Sequence, residues 1–393
     1  MKKYIILSLI LFLLPLFLVA QSNVEIILSE VAKNNKSLYA NSTFWEEKKL
    51  EYQVGLTPYN PKVDYDFLIG SPSAAGNQSD FTINQSFDFP TVYQRKRQLA
   101  NEQMKTAEYK MAAAKKQILF EAQKIYIEQI YHNKLNSVLT TRKLNTEQLL
   151  GDFQKKLDKG EGTILDVQKT RLQLIEISTQ LQENNLQINQ LKQKLIALNG
   201  GIEINNTDTL YLIQAQIPDI EKLIKEIASM DAQRQAIEQQ KIVSNQEVML
   251  AKALMLPKFE AGYHYQAILG QRFNGAHVGL TLPLWENRNT VKTKQAGVAL
   301  QDAYLQDYIH NLNSKIKQEY EQMETLKTSL QEYQSLFNSL NNTDLLKKAF
   351  TLGQLSSIEY FLELNYYYNA LHQYYKIERD YYISTCNLLK HRL

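Results

Sequence analysis

Two acidic residues stand at matching places in this chain. Asp166 closes the run Gly160-Glu161-Gly162-Thr163-Ile164-Leu165-Asp166, and Glu359 closes Gly353-Gln354-Leu355-Ser356-Ser357-Ile358-Glu359. In each, a Thr or Ser lies three residues before the acid. That is the capping-box pattern of a helix start: the hydroxyl takes one free amide and the carboxylate takes another. A second chemistry is open to the same residues. Acids gathered at the end of a tube form a ring that favours cations and restricts passage. The spacing alone leaves both roles open, and one residue can serve both. Gly160, Gly162, Gly353 and Leu355 mark the turns between long helical runs.

Little else in the chain suggests reactivity. There is no phosphate-binding loop, HExxH, CxxC or GxSxG pattern. Gly160-x-Gly162 precedes a helix but follows no strand, so a dinucleotide loop is excluded. The histidines, at 132, 264, 277, 310, 372 and 391, show no i,i+4 pair. His264 and His277 fall on neighbouring strand segments, where polar lining is the default and a metal site the alternative. The tyrosines at 366–368, 374, 375, 381 and 382 lie in a helical run, where packing is the expected use. The expectation is a protein with no enzymatic activity, no cofactor and no metal centre. A net charge of +3 over 393 residues asks for no nucleic acid.

The elements that hold these residues come in two similar series. Pro61-Lys62-Val63 and Pro257-Lys258-Phe259 open strand-like stretches, and the Gly160 and Gly353 turns follow each in the same order. The landmarks recur roughly 200 residues apart, which implies an internally duplicated unit. Its halves are 21–200 and 201–393, each reading as helix, two strands and a long helical hairpin.

The strand segments alternate with period two. Val63, Tyr65, Phe67 and Ile69 share a face, as do Phe81, Ile83, Phe87 and Phe89; Asp64, Asp66, Thr82, Asn84, Ser86 and Asp88 point the other way. Phe259, Ala261, Tyr263 and Tyr265 form the third apolar row. After a loop containing Gly270 and Gly275, Val278, Leu280, Leu282 and Leu284 form the fourth. An apolar, aromatic face opposite an acidic one suits lipid outside and water inside. Four strands cannot close a membrane barrel, and open edges in lipid would leave backbone groups unpaired. The barrel must be shared. Three chains would supply twelve strands around a water-filled lumen, and two a narrow eight-stranded pore.

The rest is long helix. Thr91 to Asp158 holds no Pro and a single Gly, Gly151, and as a helix would span roughly 100 Å. The return run, Thr163 to Asn199, carries Leu174, Ile177, Leu181, Ile188, Leu191, Leu195 and Leu198 at 3-4 spacing, with Asn184 interrupting as a register-setting residue. In the second half, Asn287 to Leu352 lacks Pro, and Ser356 to the C-terminus returns. Leu28–Val54 and Ile220–Leu254 read as amphipathic helices before each strand pair. Gly200-Gly201 and Pro218 bracket an irregular connection, expected to run as a belt on the outside of the assembly.

Lys2 and Lys3, the apolar run Tyr4–Val19, and Ala20 before Gln21-Ser22-Asn23 form an export signal covering 1–20. No Cys lies near the expected cleavage point, so a lipid anchor there is not expected. The single cysteine, Cys386, excludes an intrachain disulfide and is expected to pack as a small apolar residue.

The chain resembles the TolC family of outer-membrane efflux proteins over essentially the whole mature sequence. The resemblance rests on the paired tips Gly160/Asp166 and Gly353/Glu359 and the strand exits Phe87-Asp88-Phe89-Pro90 and Leu282-Pro283-Leu284-Trp285. Asn34-Asn35 and Leu56-Thr57-Pro58-Tyr59-Asn60-Pro61 add to it. It implies a mainly α protein with a membrane β-barrel part: a homotrimer, a shared twelve-stranded barrel and a periplasmic tunnel of antiparallel coiled-coil hairpins. It implies docking of the tips, at Gly160, Gly162, Gly353 and Leu355, to a periplasmic adaptor (membrane fusion protein). It further implies an inner-membrane pump, usually of the resistance-nodulation-division class, and contact with outer-membrane lipid. Entrance-restricting acids would be Asp166 and Glu359. Leu362, the next inward position of the second tip, is not acidic, which departs from a double ring. The implied function is a passive exit duct, with metal cations as the favoured cargo. Two other readings keep much of this sequence: the duct of a type I protein secretion system, and a soluble periplasmic coiled-coil scaffold.

Overall fold

The computed structural model describes residues 23–211, 216–339 and 342–393. The export signal expected at 1–20 lies outside the described residues. The chain divides into two compact units.

The first unit takes in 23–35, 121–211 and 342–382. It contains α1 (Asn23–Asn34), the distal part of α3 (Pro90–Asp158), α4 (Ile164–Leu198), α8 (Asn342–Thr351) and most of α9 (Ser357–Leu389). The heptad stripe of α4 is real. Thr170, Ile177, Asn184 and Leu191 are buried at seven-residue intervals, and Leu195 lies in the second row. Asn184, the polar member, is 4% exposed. Its Oδ1 lies 2.7 Å from His132 Nδ1 and its Nδ2 donates to the His132 carbonyl at 3.0 Å. An unpaired amide would be costly at this depth, so the partner on α3 decides where along the helix α4 can sit.

The irregular connection after α4 packs on α3. Tyr126 donates to Asp208 Oδ2 at 2.7 Å, and Asn133 donates to the Asp208 carbonyl at 3.0 Å. Tyr211 stacks on Tyr382 of α9, with ring centroids 4.3 Å apart. The α9 tyrosines come as adjacent pairs, 367/368, 374/375 and 381/382, at seven-residue intervals. Their phenols are used in packing. Arg142 lies 4.3 Å above Tyr368, Lys134 5.4 Å from Tyr375, and Arg379 of α9 4.7 Å above Tyr131. Burial pushes the Tyr375 hydroxyl up to about 12, so it stays protonated at physiological pH.

The second unit takes in 36–120, 216–339 and 383–393. It contains α2 (Lys36–Glu51), the strands, the proximal part of α3, α5 (Ile220–Met230), α6 (Ala232–Ala253), α7 (Thr290–Ser339) and the end of α9. The opening segments are helical but interrupted. Leu28–Val54 is not one helix: α1 ends at Asn34 and α2 starts at Lys36, with buried Asn35 donating to the Leu198 carbonyl at 2.7 Å. Ile220–Leu254 is likewise split at Asp231, whose carboxylate accepts from the Arg234 amide at 2.6 Å and caps α6. A strong N-cap in mid-run ends one helix and starts the next.

One antiparallel sheet, in the order β1-β2-β3-β4, is built from β1 (Lys62–Leu68), β2 (Gln78–Phe87), β3 (Lys258–Ile268) and β4 (Gln271–Thr281). The register places like against like. Tyr65 pairs with Phe81 and Phe81 with Tyr265; Val63 with Ile83 and Ile83 with Tyr263; Ala261 with Val278. On the other face Asp66 meets Asp80, Thr82 meets His264, and Ser86 meets Glu260. The apolar row is exposed, with Val63, Tyr65 and Phe67 each more than half accessible and Val278 82% accessible. The outer strands β1 and β4 have one neighbour each.

Three strand details differ from the sequence expectation. The strands stop at Leu68, Phe87 and Thr281, leaving Ile69, Phe89, Leu282 and Leu284 outside the ladder. The β3–β4 loop is only Leu269-Gly270, both at positive φ (50° and 78°), the geometry of a two-residue hairpin turn. Gly275 is therefore not in a loop; it sits in β4 opposite His264. Gly262 has a packing reason, since a Cβ there would fall 2.0 Å from Asn84 Oδ1 on the neighbouring strand.

Among the described residues, no helix is long and apolar enough to cross a membrane. Cys386 is 3% exposed, a packed side chain as expected.

Candidate functional site at the helical tips

The two turns that carry the candidate residues have the same geometry. Gly160 ends α3 at φ 73° and Gly353 ends α8 at φ 71°. The Gly160 amide donates to the Leu157 carbonyl at 2.9 Å and the Glu161 amide to Lys156 at 2.8 Å. The Gly353 amide donates to Phe350 at 3.0 Å and the Gln354 amide to Ala349 at 2.9 Å. Both are Schellman caps, in which only glycine takes the left-handed position without strain. Gly162 contributes differently. A Cβ there would lie 3.0 Å from the Leu157 amide nitrogen, so the turn folds tightly onto the end of α3. Leu355 holds the corresponding place in the second tip and is half-buried.

Both acids form the capping contacts. Thr163 Oγ1 accepts from the Asp166 amide at 3.2 Å and donates to Asp166 Oδ2 at 2.7 Å. Ser356 repeats the arrangement, accepting from the Glu359 amide at 3.3 Å, while its own amide and hydroxyl each reach Glu359 Oε2 at 2.8 Å. The Ser356 amide, then its hydroxyl, hold the Glu359 carboxyl below its ordinary value. Asp166 is half-buried and Glu359 exposed. Each carboxylate keeps unfilled acceptor capacity toward solvent.

The tips meet through a contact that sequence reasoning did not single out. Phe153 of α3, 5% exposed, lies edge-on to Phe350 of α8 at 5.9 Å and tilted to Phe361 of α9 at 6.5 Å. Phe350 stacks on Tyr360 at 4.6 Å. Large aromatics within ten residues of both glycines were the available signal. Around this cluster the tip surface is apolar: Ile164, Leu165, Leu352 and Ile358 are each more than half accessible. Leu362, at the next turn of α9, is also exposed.

The histidines remain apart from any centre. Among the described residues no group of three or more His, Cys, Asp or Glu is placed to hold a metal ion. His264 and His277 share the polar sheet face, where His264 Nδ1 lies 2.9 Å from Thr82 Oγ1 and His277 Nε2 4.0 Å from Glu260.

The sequence matches no protein-family model and no curated protein. Solved structures do match the fold. A membrane protein from Pseudomonas aeruginosa aligns with TM-score 0.79 at 16% identity, over 95% of this chain and 94% of that one. The CmeC outer membrane channel of Campylobacter jejuni aligns at 0.70 and 16%, over 94% and 85%. The outer membrane protein VceC of Vibrio cholerae aligns at 0.67 and 14%, over 94% and 96%. The chain thus has the fold of TolC-like outer-membrane channels.

Proposed function

We propose that the chain is one stave of a trimeric outer-membrane duct for efflux. The observation that carries this reading is the sheet: an exposed apolar face in matched register, a polar face behind it, and an open edge on each side. Three such sheets joined edge to edge would form a twelve-stranded barrel with no unpaired edge in lipid. The matching channel folds support the same reading.

The two halves, 21–200 and 201–393, are read as repeats of one design, each giving two strands and one helical hairpin. The helical part would stand in the periplasm. Its apolar tips, around Gly160, Gly162, Gly353 and Leu355, would dock a periplasmic adaptor, and the adaptor a pump of the resistance-nodulation-division class. The duct itself conducts passively. Docking would shift an equilibrium between closed and open tips. Asp166 and Glu359 both cap helices and, in the trimer, would ring the entrance.

Fractionation with native mass spectrometry tests the stave. The expected species is a trimer in the outer membrane; a soluble periplasmic monomer would refute the duct. Conductance of the reconstituted protein tests the ring. Asp166→Ala and Glu359→Ala are expected to lower cation selectivity and block by divalent ions. Unchanged selectivity would leave the capping role alone.

A further inference from the structure

In the second unit a groove of about 740 Å³ opens between α2, α3, α7 and the C-terminus. That volume falls within the roughly 300–1,000 Å³ of small-molecule sites. Its body is apolar and aromatic: Trp45, Phe120, Tyr308, Leu312 and Ile316 contribute, with Ile227 and Leu388 buried behind them. Its charge is one-sided. Four lysines, 110, 116, 315 and 390, line it against two carboxylates, Asp231 and Glu319.

Both carboxylates are already engaged. Asp231 accepts from the Tyr308 hydroxyl at 2.9 Å and the Arg234 amide at 2.6 Å. Glu319 accepts from Asn387 Nδ2 at 2.9 Å and lies 3.4 Å from the Ser384 hydroxyl. The histidine on the wall, His391, spends Nε2 on Glu226 at 2.8 Å. Three of the lysines, 110, 116 and 315, are not neutralised in the same way. Lys116 is directed to the Met230 and His391 carbonyls, and Lys110 lies 5.2 Å over the Trp45 ring. Lys315, exposed, forms no ion pair with a carboxylate among the described residues. An apolar body flanked by unneutralised cations complements one chemistry: a hydrophobic molecule bearing a single anionic group.

We propose that this groove binds a small anionic amphiphile, with the apolar body against Trp45 and Phe120 and the anionic group between Lys110 and Lys315. The site stands on the groove's own residues and does not depend on the duct reading.

The chain supplies its own reporter, because its only tryptophans are Trp45 and Trp285. In full-length W285F, held in lipid nanodiscs, emission comes from Trp45 alone. Deoxycholate below its micelle concentration is expected to shift that emission saturably. An uncharged glucamide derivative of the same steroid should bind at least tenfold more weakly. Lys315→Glu should weaken deoxycholate about tenfold while leaving thermal unfolding and assembly unchanged, and Lys315→Arg should retain the parent affinity. Equal affinity for the neutral steroid, or an unaltered Lys315→Glu variant, would overturn the proposal. So would a Trp45 that is shielded from acrylamide and silent to deoxycholate in the assembled protein, since a second copy of the chain would then fill the groove.

Discussion

Asn184 meets both ends of one residue on the facing helix: His132 Nδ1 at 2.7 Å and the His132 carbonyl at 3.0 Å. The amide nitrogen is committed to the carbonyl, so Oδ1 must accept, and the His132 proton sits on Nδ1. Replacing Asn184 with Ala leaves the half-buried His132 N–H without its partner, while the carbonyl, inside α3, keeps its intrahelical bond. The expected loss is about 1–3 kcal/mol in chemical denaturation. Asn184→Leu should be less costly in stability but should loosen register, seen as mixed disulfide products when cysteines are placed at neighbouring positions on α3 and α4.

The C-terminus is latched by charge. Arg392 first, and His391 second, hold the Glu226 carboxyl down to about 2. Arg392 reaches Glu226 through Nε and Nη2, the latter at 2.9 Å. A depressed carboxylate contributes stability that is full above its ordinary value of 4.5 and disappears as pH falls through about 2. Amide exchange at 388–393, corrected for intrinsic rates, should therefore accelerate severalfold between pH 5 and pH 2.5. In Glu226→Gln it should be fast at both. A pH-independent wild type would show that the latch carries no stability.

At the tips, Phe153→Ala removes the ring that Phe350 and Phe361 pack against. Truncating a buried Phe costs about 3 kcal/mol or more. Faster exchange is expected at 350–361 as well as at 150–157, because the cluster joins both hairpins. Acceleration confined to α3 would mean that the hairpins are held together elsewhere.

Gly160→Ala and Gly353→Ala should each cost about 1 kcal/mol, from forcing a Cβ into the left-handed region. Neither glycine's Cβ would meet a neighbouring atom, so the cost is conformational alone. Gly162→Ala should cost more, since its Cβ meets the end of α3 at 3.0 Å. Thermal unfolding of the three variants gives the order directly.

The strand faces and the tips were readable in the sequence because each depends on local rules. Period-two alternation put Tyr65, Phe81 and Tyr265 on one side, and the ladder brings them into line. Thr163 with Asp166 and Ser356 with Glu359 announced helix starts that formed as written. The misses are of two kinds. Asp231 carries a local N-cap signal inside an apolar periodic run, and the periodicity concealed it. Leu269 at positive φ carries no signal at all; the two-residue turn follows from strand register, which moves Gly275 into β4. The aromatic contact of Phe153 with Phe350 joins residues far apart in the chain, and only tertiary structure brings them together.

The single neighbour of β1 and of β4 also bears on the life history of the protein. A lone sheet with two bare margins has no stable place in hydrocarbon, whatever its apolar face offers. On the trimer reading, membrane entry and oligomerisation are one event, with a rate that climbs steeply with the supply of newly exported chains. Below that supply, on the same reading, the monomer would linger in the periplasm, sticky along both margins. Its abundance there would be set by proteases and chaperones and not by its own folding equilibrium.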